Sequence, residues 1–143
     1  MRLTDLISKA PKAPNSADNI KIYGLAVNST QVKSGDLFFA LPGTTSDGRQ
    51  FIGEAIANGA VAILTDDRAL NKNFECDVPV IQVANPRQVM AYTASKFWAQ
   101  QPKLVGAVTG TNGKTSTVEF MRQIWSRLNW QTTSIGTIGI RGI

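Results

Sequence analysis

The sequence has no histidine, and its 143 residues include one cysteine, Cys76. The first absence removes Ser-His-Asp and Cys-His catalysis, together with every histidine metal ligand. The second removes an intrachain disulfide and a cysteine zinc cluster, and leaves Cys76 as an unreactive thiol in or near a loop. No apolar run approaches the length that crosses a bilayer. Met1-Arg2-Leu3-Thr4-Asp5-Leu6-Ile7-Ser8-Lys9 lacks the continuous apolar core of a signal peptide. The expectation is a cytoplasmic monomer with no membrane partner. Acidic residues are scarce in the later part. Residues 1–85 carry 8 Lys/Arg against 9 Asp/Glu, whereas residues 86–143 carry 7 Lys/Arg and Glu119 alone. Those cations are scattered, with no basic run and no aromatic-basic motif. Solvated helix faces and a small polyanionic ligand account for them, and no nucleic-acid partner is expected.

What is present is globular: 43% hydrophobic and 17% charged residues without a low-complexity tract. Leu3, Leu6 and Ile7 suggest a short first helix closed by the region of Pro11 and Pro14. Residues 20–27 read as a strand with Ile20, Ile22, Leu25 and Val27 turned inward. Leu37-Phe38-Phe39-Ala40-Leu41 is apolar on both faces, which predicts a central strand. Pro42-Gly43-Thr44-Thr45-Ser46-Asp47-Gly48 is a loop of turn formers and hydroxyls. A helix over 49–58 follows, with Asp47 on its N-cap side and Gly59 at its end. Residues 60–65 and 78–83 are further strands, and Asn85-Pro86 opens a helix over 87–99. Strands alternating with helices predict an α/β fold with a covered sheet.

The most informative stretch is Thr109-Gly110-Thr111-Asn112-Gly113-Lys114-Thr115, followed by Ser116. It lies between an apolar segment at 104–108, read as a buried strand, and a segment of helical period. That period sets Val118, Met121, Ile124, Trp125 and Leu128 near one face. Glycines let backbone N–H groups curl around an anion, and the new helix adds its unpaired N–H groups and positive dipole end. Lys114 would bring a full charge to the outer phosphates of ATP, and the Thr115 hydroxyl would ligate Mg²⁺. The general phosphate-loop pattern asks for glycine where Val108 stands, so the match is to the shorter TGTNGKT form. A Gly/Thr-rich strand-to-helix connection with an exposed lysine is the other reading of these residues.

A domain boundary is placed near Ala84, with Pro102 as the fallback. Residues 1–84 then form a small α/β domain and residues 85–143 the start of a second one. Two helices and two strands, at 104–109 and 132–135, are too few to cover both faces of a parallel sheet, so the second domain is expected to be incomplete.

Three groups of residues carry a resemblance to the Mur ligases. The first is Val27-Asn28-Ser29-Thr30-Gln31-Val32 with Gly35-Asp36-Leu37-Phe38-Phe39-Ala40. The second is Gly43, Asp47-Gly48-Arg49, Phe51-Ile52, Ala55-Ile56 and Gly59-Ala60. The third is TGTNGKT with Gly136-Thr137-Ile138-Gly139. Within the family the chain resembles the front of the branch that adds the third stem-peptide residue, diaminopimelate or lysine, to UDP-MurNAc-L-Ala-D-Glu. The neighbouring branch that adds D-Ala-D-Ala and a non-catalytic nucleotide-binding module are the alternatives.

The resemblance implies an ATP- and Mg²⁺-dependent amide ligase working through an acyl phosphate in peptidoglycan synthesis, with this piece inactive by itself. It implies that residues 1–84 bind the UDP end of the substrate. Val27 and Ser29 would line that site, and Thr44, Thr45 and Ser46 would close over it. Read without the family, Ser29 and Thr30 end a strand and residues 44–46 are a surface loop. In residues 85–143, Gly110, Thr111, Asn112, Gly113, Lys114, Thr115 and Ser116 would bind ATP, with Lys114 catalytic and Thr115 on the metal. Asn28 and Thr30 stand where the family usually has Asp and Arg, which removes an expected charged contact beside Ser29.

Overall fold

The computed structural model describes residues 1–7, 19–43, 46–67 and 76–142. They divide into two compact units, Met1–Gln101 and Pro102–Ile143.

In the first unit the apolar run predicted as a central strand is β2, Asp36–Ala40, with all five residues buried. It lies between β1, Gly24–Ala26, and β3, Ala60–Asp66; β4, Val80–Val83, completes a sheet of order β1-β2-β3-β4. Every pairing is parallel. Side chains alternate across a strand, so Leu37 and Phe39 face one layer while Phe38 and Ala40 face the other. The first layer is closed by α1, Leu3–Leu6, and α3, Pro86–Phe97, through Leu3, Leu6 and Val89. The second is closed by α2, Ile52–Ala57, through Ile52 and Ala55. Burying a large side chain such as Phe38 or Phe39 contributes about 1.5–3 kcal/mol, which makes a covered sheet the stable outcome for this strand. The ladder skips Val61: Asp36 pairs with Ala60 but Leu37 with Ala62. That bulge turns Ala60 toward the α2 layer and Ala62 toward the α1/α3 layer.

Several boundaries differ from the sequence expectation. The strand over 20–27 shortens to β1, and Val27, past its end, is 61% exposed rather than turned inward. The helix over 49–58 starts as a 3-10 turn, Gly48–Phe51, with Asp47 as its cap. The division between units lies at Pro102, not near Ala84. The cause is α3, which packs on α1, β3 and β4 and buries Val89 and Thr93 there.

The second unit contains α4, Lys114–Arg127, and an antiparallel hairpin of β5, Ser134–Gly136, and β6, Gly139–Arg141. Thr132 Oγ1 donates to the Arg122 carbonyl at 3.3 Å, tying the approach to the hairpin to the helix. The predicted strand at 104–108 does not form. No strand pairs with it among the described residues, and Leu104 and Val105 are exposed; an apolar segment becomes a strand only where a ladder receives its N–H and C=O groups. The backbone at Gly106 instead passes against Met121 and Trp125. Of the predicted apolar face of α4, Val118, Met121 and Trp125 are half-buried, whereas Ile124 and Leu128 are exposed. Among the described residues no helix is long and apolar enough to cross a membrane.

Candidate functional site

In the first unit, the chain leaving β1 turns at once into a 3-10 turn, Ser29–Gln31. Asn28 caps it: Oδ1 accepts from the Thr30 backbone N–H at 3.1 Å and from Thr30 Oγ1 at 3.0 Å. The neutral pair thus holds the turn locally, where a charged contact is expected of the family. The turn carries Ser29 inward to 5% exposure. Two bonds from α2 and its C-cap fix it there: Asn58 Nδ2 donates to the Ser29 carbonyl at 2.9 Å, and Ser29 Oγ donates to Glu54 Oε2 at 2.6 Å.

Ser29 and Glu54 line a cavity of about 440 Å³, together with Val27, Ser46, Gly48 and Phe51. Three residues placed at this site by resemblance, Val27, Ser29 and Ser46, therefore meet at one opening. Thr44 and Thr45 lie outside the described residues. The loop that holds Ser46 is pinned at its base. Gly48 N–H donates to the Leu41 carbonyl at 2.9 Å, and a side chain at Gly48 would strike Leu41 backbone, its Cβ only 2.6 Å from that carbonyl oxygen. Arg49 Nε reaches both Asp47 oxygens, at 3.0 and 2.8 Å, and Nη1 reaches buried Asp66 at 3.3 Å. The Asp47 hydrogen bonds, against the pull of burial, hold the Arg49 guanidinium above its ordinary pKa.

In the second unit, Gly110 (φ 138°) and Gly113 (φ 75°) bend the loop through conformations that side-chain-bearing residues rarely adopt. Gly113 opens α4 with no side-chain cap, so the first helical N–H groups have no side-chain partner at that end. Space around Gly113 is open. Lys114 Nζ donates to the Gly110 carbonyl and, at 3.1 Å, to the Thr111 carbonyl, which holds the ammonium over the loop. Thr115 Oγ1 lies 3.1 Å from Thr137 Oγ1 in the hairpin turn. Lys114, Thr115 and Thr137 line a second cavity of about 220 Å³, beside Glu119 and Ser134. Thr111, Asn112 and Ser116 are exposed on the loop and first turn next to it. Glu119 is held well below the usual carboxylate range, to about 2, chiefly by its hydrogen bonds from Arg122, against desolvation.

The residues that form the first cavity and those that form the glycine loop fall within matches to two family models. Residues 21–98 match the Mur ligase family, catalytic domain, and residues 108–142 match the Mur ligase middle domain. The chain belongs to the Mur ligase family. A curated relative of this Mur ligase chain is the UDP-N-acetylmuramoyl-L-alanyl-D-glutamate--2,6-diaminopimelate ligase of Bradyrhizobium diazoefficiens. It is 46% identical over 140 residues, which is 98% of this chain and 28% of the relative. The chain thus spans about 28% of the length of that protein. A solved ligase of the same name covers all of this chain and 29% of its own, with a TM-score of 0.75 at 23% identity, and shares the fold. The MurF ligase from Thermotoga maritima in complex with ADP matches 76% of this Mur ligase chain and 24% of its own, with a TM-score of 0.52 at 29% identity.

Sequence reasoning missed Glu54 and Thr137 as site residues. Glu54 sits in the first turn of α2, where an acidic residue reads as an ordinary partner of the helix dipole. Its bond to Ser29 spans 25 residues and has no local signal.

Proposed function

We propose that this chain is the front part of an ATP-dependent amide ligase that adds 2,6-diaminopimelate to UDP-MurNAc-L-Ala-D-Glu. In this reading the first unit takes the UDP end of the substrate and the second begins the ATP site. The observation that carries the reading is the 46% identity, over 98% of this chain, to a ligase of that name. Further curated relatives, at 38% and 39% identity over 98% of this chain, carry the same name.

The residues fit these ligands. Backbone N–H groups at the start of α4 meet the outer phosphates, and Lys114, already over the loop, neutralises their charge as the terminal group moves to a substrate carboxylate. The acyl phosphate so formed is attacked by the incoming amine, and phosphate leaves as the amide forms. Ser116 adds a hydroxyl donor beside the helix start. The paired hydroxyls of Thr115 and Thr137 offer hard oxygen at the same place, suited to Mg²⁺, which takes one or two protein ligands and fills the rest with water and phosphate oxygen. Bound there, Mg²⁺ would supply charge neutralisation, and Thr115 is the residue that would hold it.

Titration calorimetry tests the division of labour. UDP binds the chain; Ser29→Ala weakens it by roughly 2- to 12-fold, the worth of one hydrogen bond, and Lys114→Ala leaves it unchanged. Retained ATP binding with no UDP binding would count against the ligase reading and for a nucleotide-binding module.

A further inference from the structure

We infer that Glu54, bonded to Ser29, makes one corner of the 440 Å³ cavity acceptor-only, and that this corner selects a nucleoside by its donor groups, the ribose diol or the ring imide N–H. The inference rests on the reading of the first unit as a UDP site and adds which end of the ligand is recognised and by what chemistry.

A serine hydroxyl has one proton. Here that proton is given to Glu54 Oε2 at 2.6 Å, so Ser29 turns lone pairs, and no donor, toward the cavity. The Glu54 carboxylate offers the cavity acceptor oxygens. Beside this corner, Asn58 Nδ2 is engaged on the Ser29 carbonyl and Asn28 Oδ1 on Thr30, so the corner itself is formed by the oxygens of Ser29 and Glu54. Among the described lining residues Glu54 is the one ionisable side chain, and Arg49, the nearest cation to it in sequence, is committed to Asp47 and Asp66. A phosphate placed in this corner would face a carboxylate with no cation among the described lining residues to offset it. A sugar diol or an imide N–H brings the donors that the corner lacks, as carboxylates do for ribose hydroxyls in dinucleotide sites. Phe51, 38% exposed beside Glu54, offers a flat apolar surface suited to a ring or sugar face.

The test is calorimetry of the 143-residue chain, wild type and Glu54→Gln, with UDP, 2′-deoxy-UDP and 3-methyl-UDP. Glutamine still accepts from Ser29 through its amide oxygen, but turns an N–H₂ donor where the ligand's donor must sit. Wild type is expected to bind UDP at least tenfold more tightly than one analogue, and that analogue identifies the donor. Glu54→Gln is expected to lose at least tenfold for UDP, to bind that analogue nearly unchanged, and to melt within a few degrees of wild type. If wild type binds UDP and both analogues equally, or Glu54→Gln keeps the wild-type ratios, the inference falls while the UDP site stands. A lowered melting temperature with unchanged ratios assigns the Ser29–Glu54 bond to the fold alone and also overturns it. Failure of wild type to bind UDP overturns the reading of the first unit and the inference together.

Discussion

Replacing Lys114 by alanine separates the binding role of its ammonium from any structural one. In the structure Nζ meets two carbonyl oxygens, those of Gly110 and Thr111, on an exposed loop. Both carbonyls turn to water when the side chain is removed, so the cost in stability is expected to stay within about 0.5 kcal/mol, as for exposed sites generally. The cost to a triphosphate is larger. A hydrogen bond from a charged donor contributes about 1.5–3 kcal/mol, and at 1.4 kcal/mol per decade that is roughly a 10- to 150-fold loss in affinity. Calorimetry with ATP and Mg²⁺ reads the affinity, and thermal unfolding of the same samples reads the fold. The expected pair of results is a weakened Kd for ATP with an unchanged melting temperature. An unchanged Kd would refute the assignment of Lys114 to the phosphates. A collapsed melting temperature would show that its bonds to the loop carbonyls support the fold instead.

Thr93 Oγ1 is fully buried in α3 and has no hydrogen-bond partner among the described residues. Thr93→Val removes that unpaired hydroxyl and is expected to raise stability by about 1 kcal/mol in urea unfolding. For Glu119, the folded-state pKa near 2 lies below the ordinary value of 4.5. Its pairing with Arg122 therefore contributes stability that is fully present above about pH 4.5 and is lost as pH falls through about 2. Carbon-detected NMR titration of the Glu119 carboxylate should give that low midpoint, and Arg122→Ala should return it toward 4.5.

The parts of the fold that were legible are those whose signals are local. Phe38 and Phe39 side by side announce a strand buried on both faces, and Gly110 and Gly113 announce a glycine loop at a helix start. Residues 104–108 carry the composition of a buried strand, yet composition says nothing of whether a ladder partner is at hand, and here none pairs with it among the described residues. The helix after Asn85-Pro86 looked like the opening of a new domain because proline and asparagine mark its start. Where it packs was decided by Leu3 and Leu6, some eighty residues earlier. Val27 sits two residues after Leu25, which implied an inward side chain, but the strand ends at Ala26 and the alternation ends with it. The Ser29–Glu54 bond is hidden for the same reason as the α3 contacts, since it joins the 3-10 turn after β1 to α2, 25 residues later.

Two separate ligand sites, one in each unit, are predicted for this chain. Backbone amide NMR of the 15.4 kDa chain, titrated first with UDP and then with ATP and Mg²⁺, reads both in one sample. The predicted result is UDP shifts at residues 27–30, 46–48 and 51–54 and ATP shifts at residues 110–116. UDP shifts falling on the glycine loop, or ATP shifts falling around Ser29 and Glu54, would contradict it.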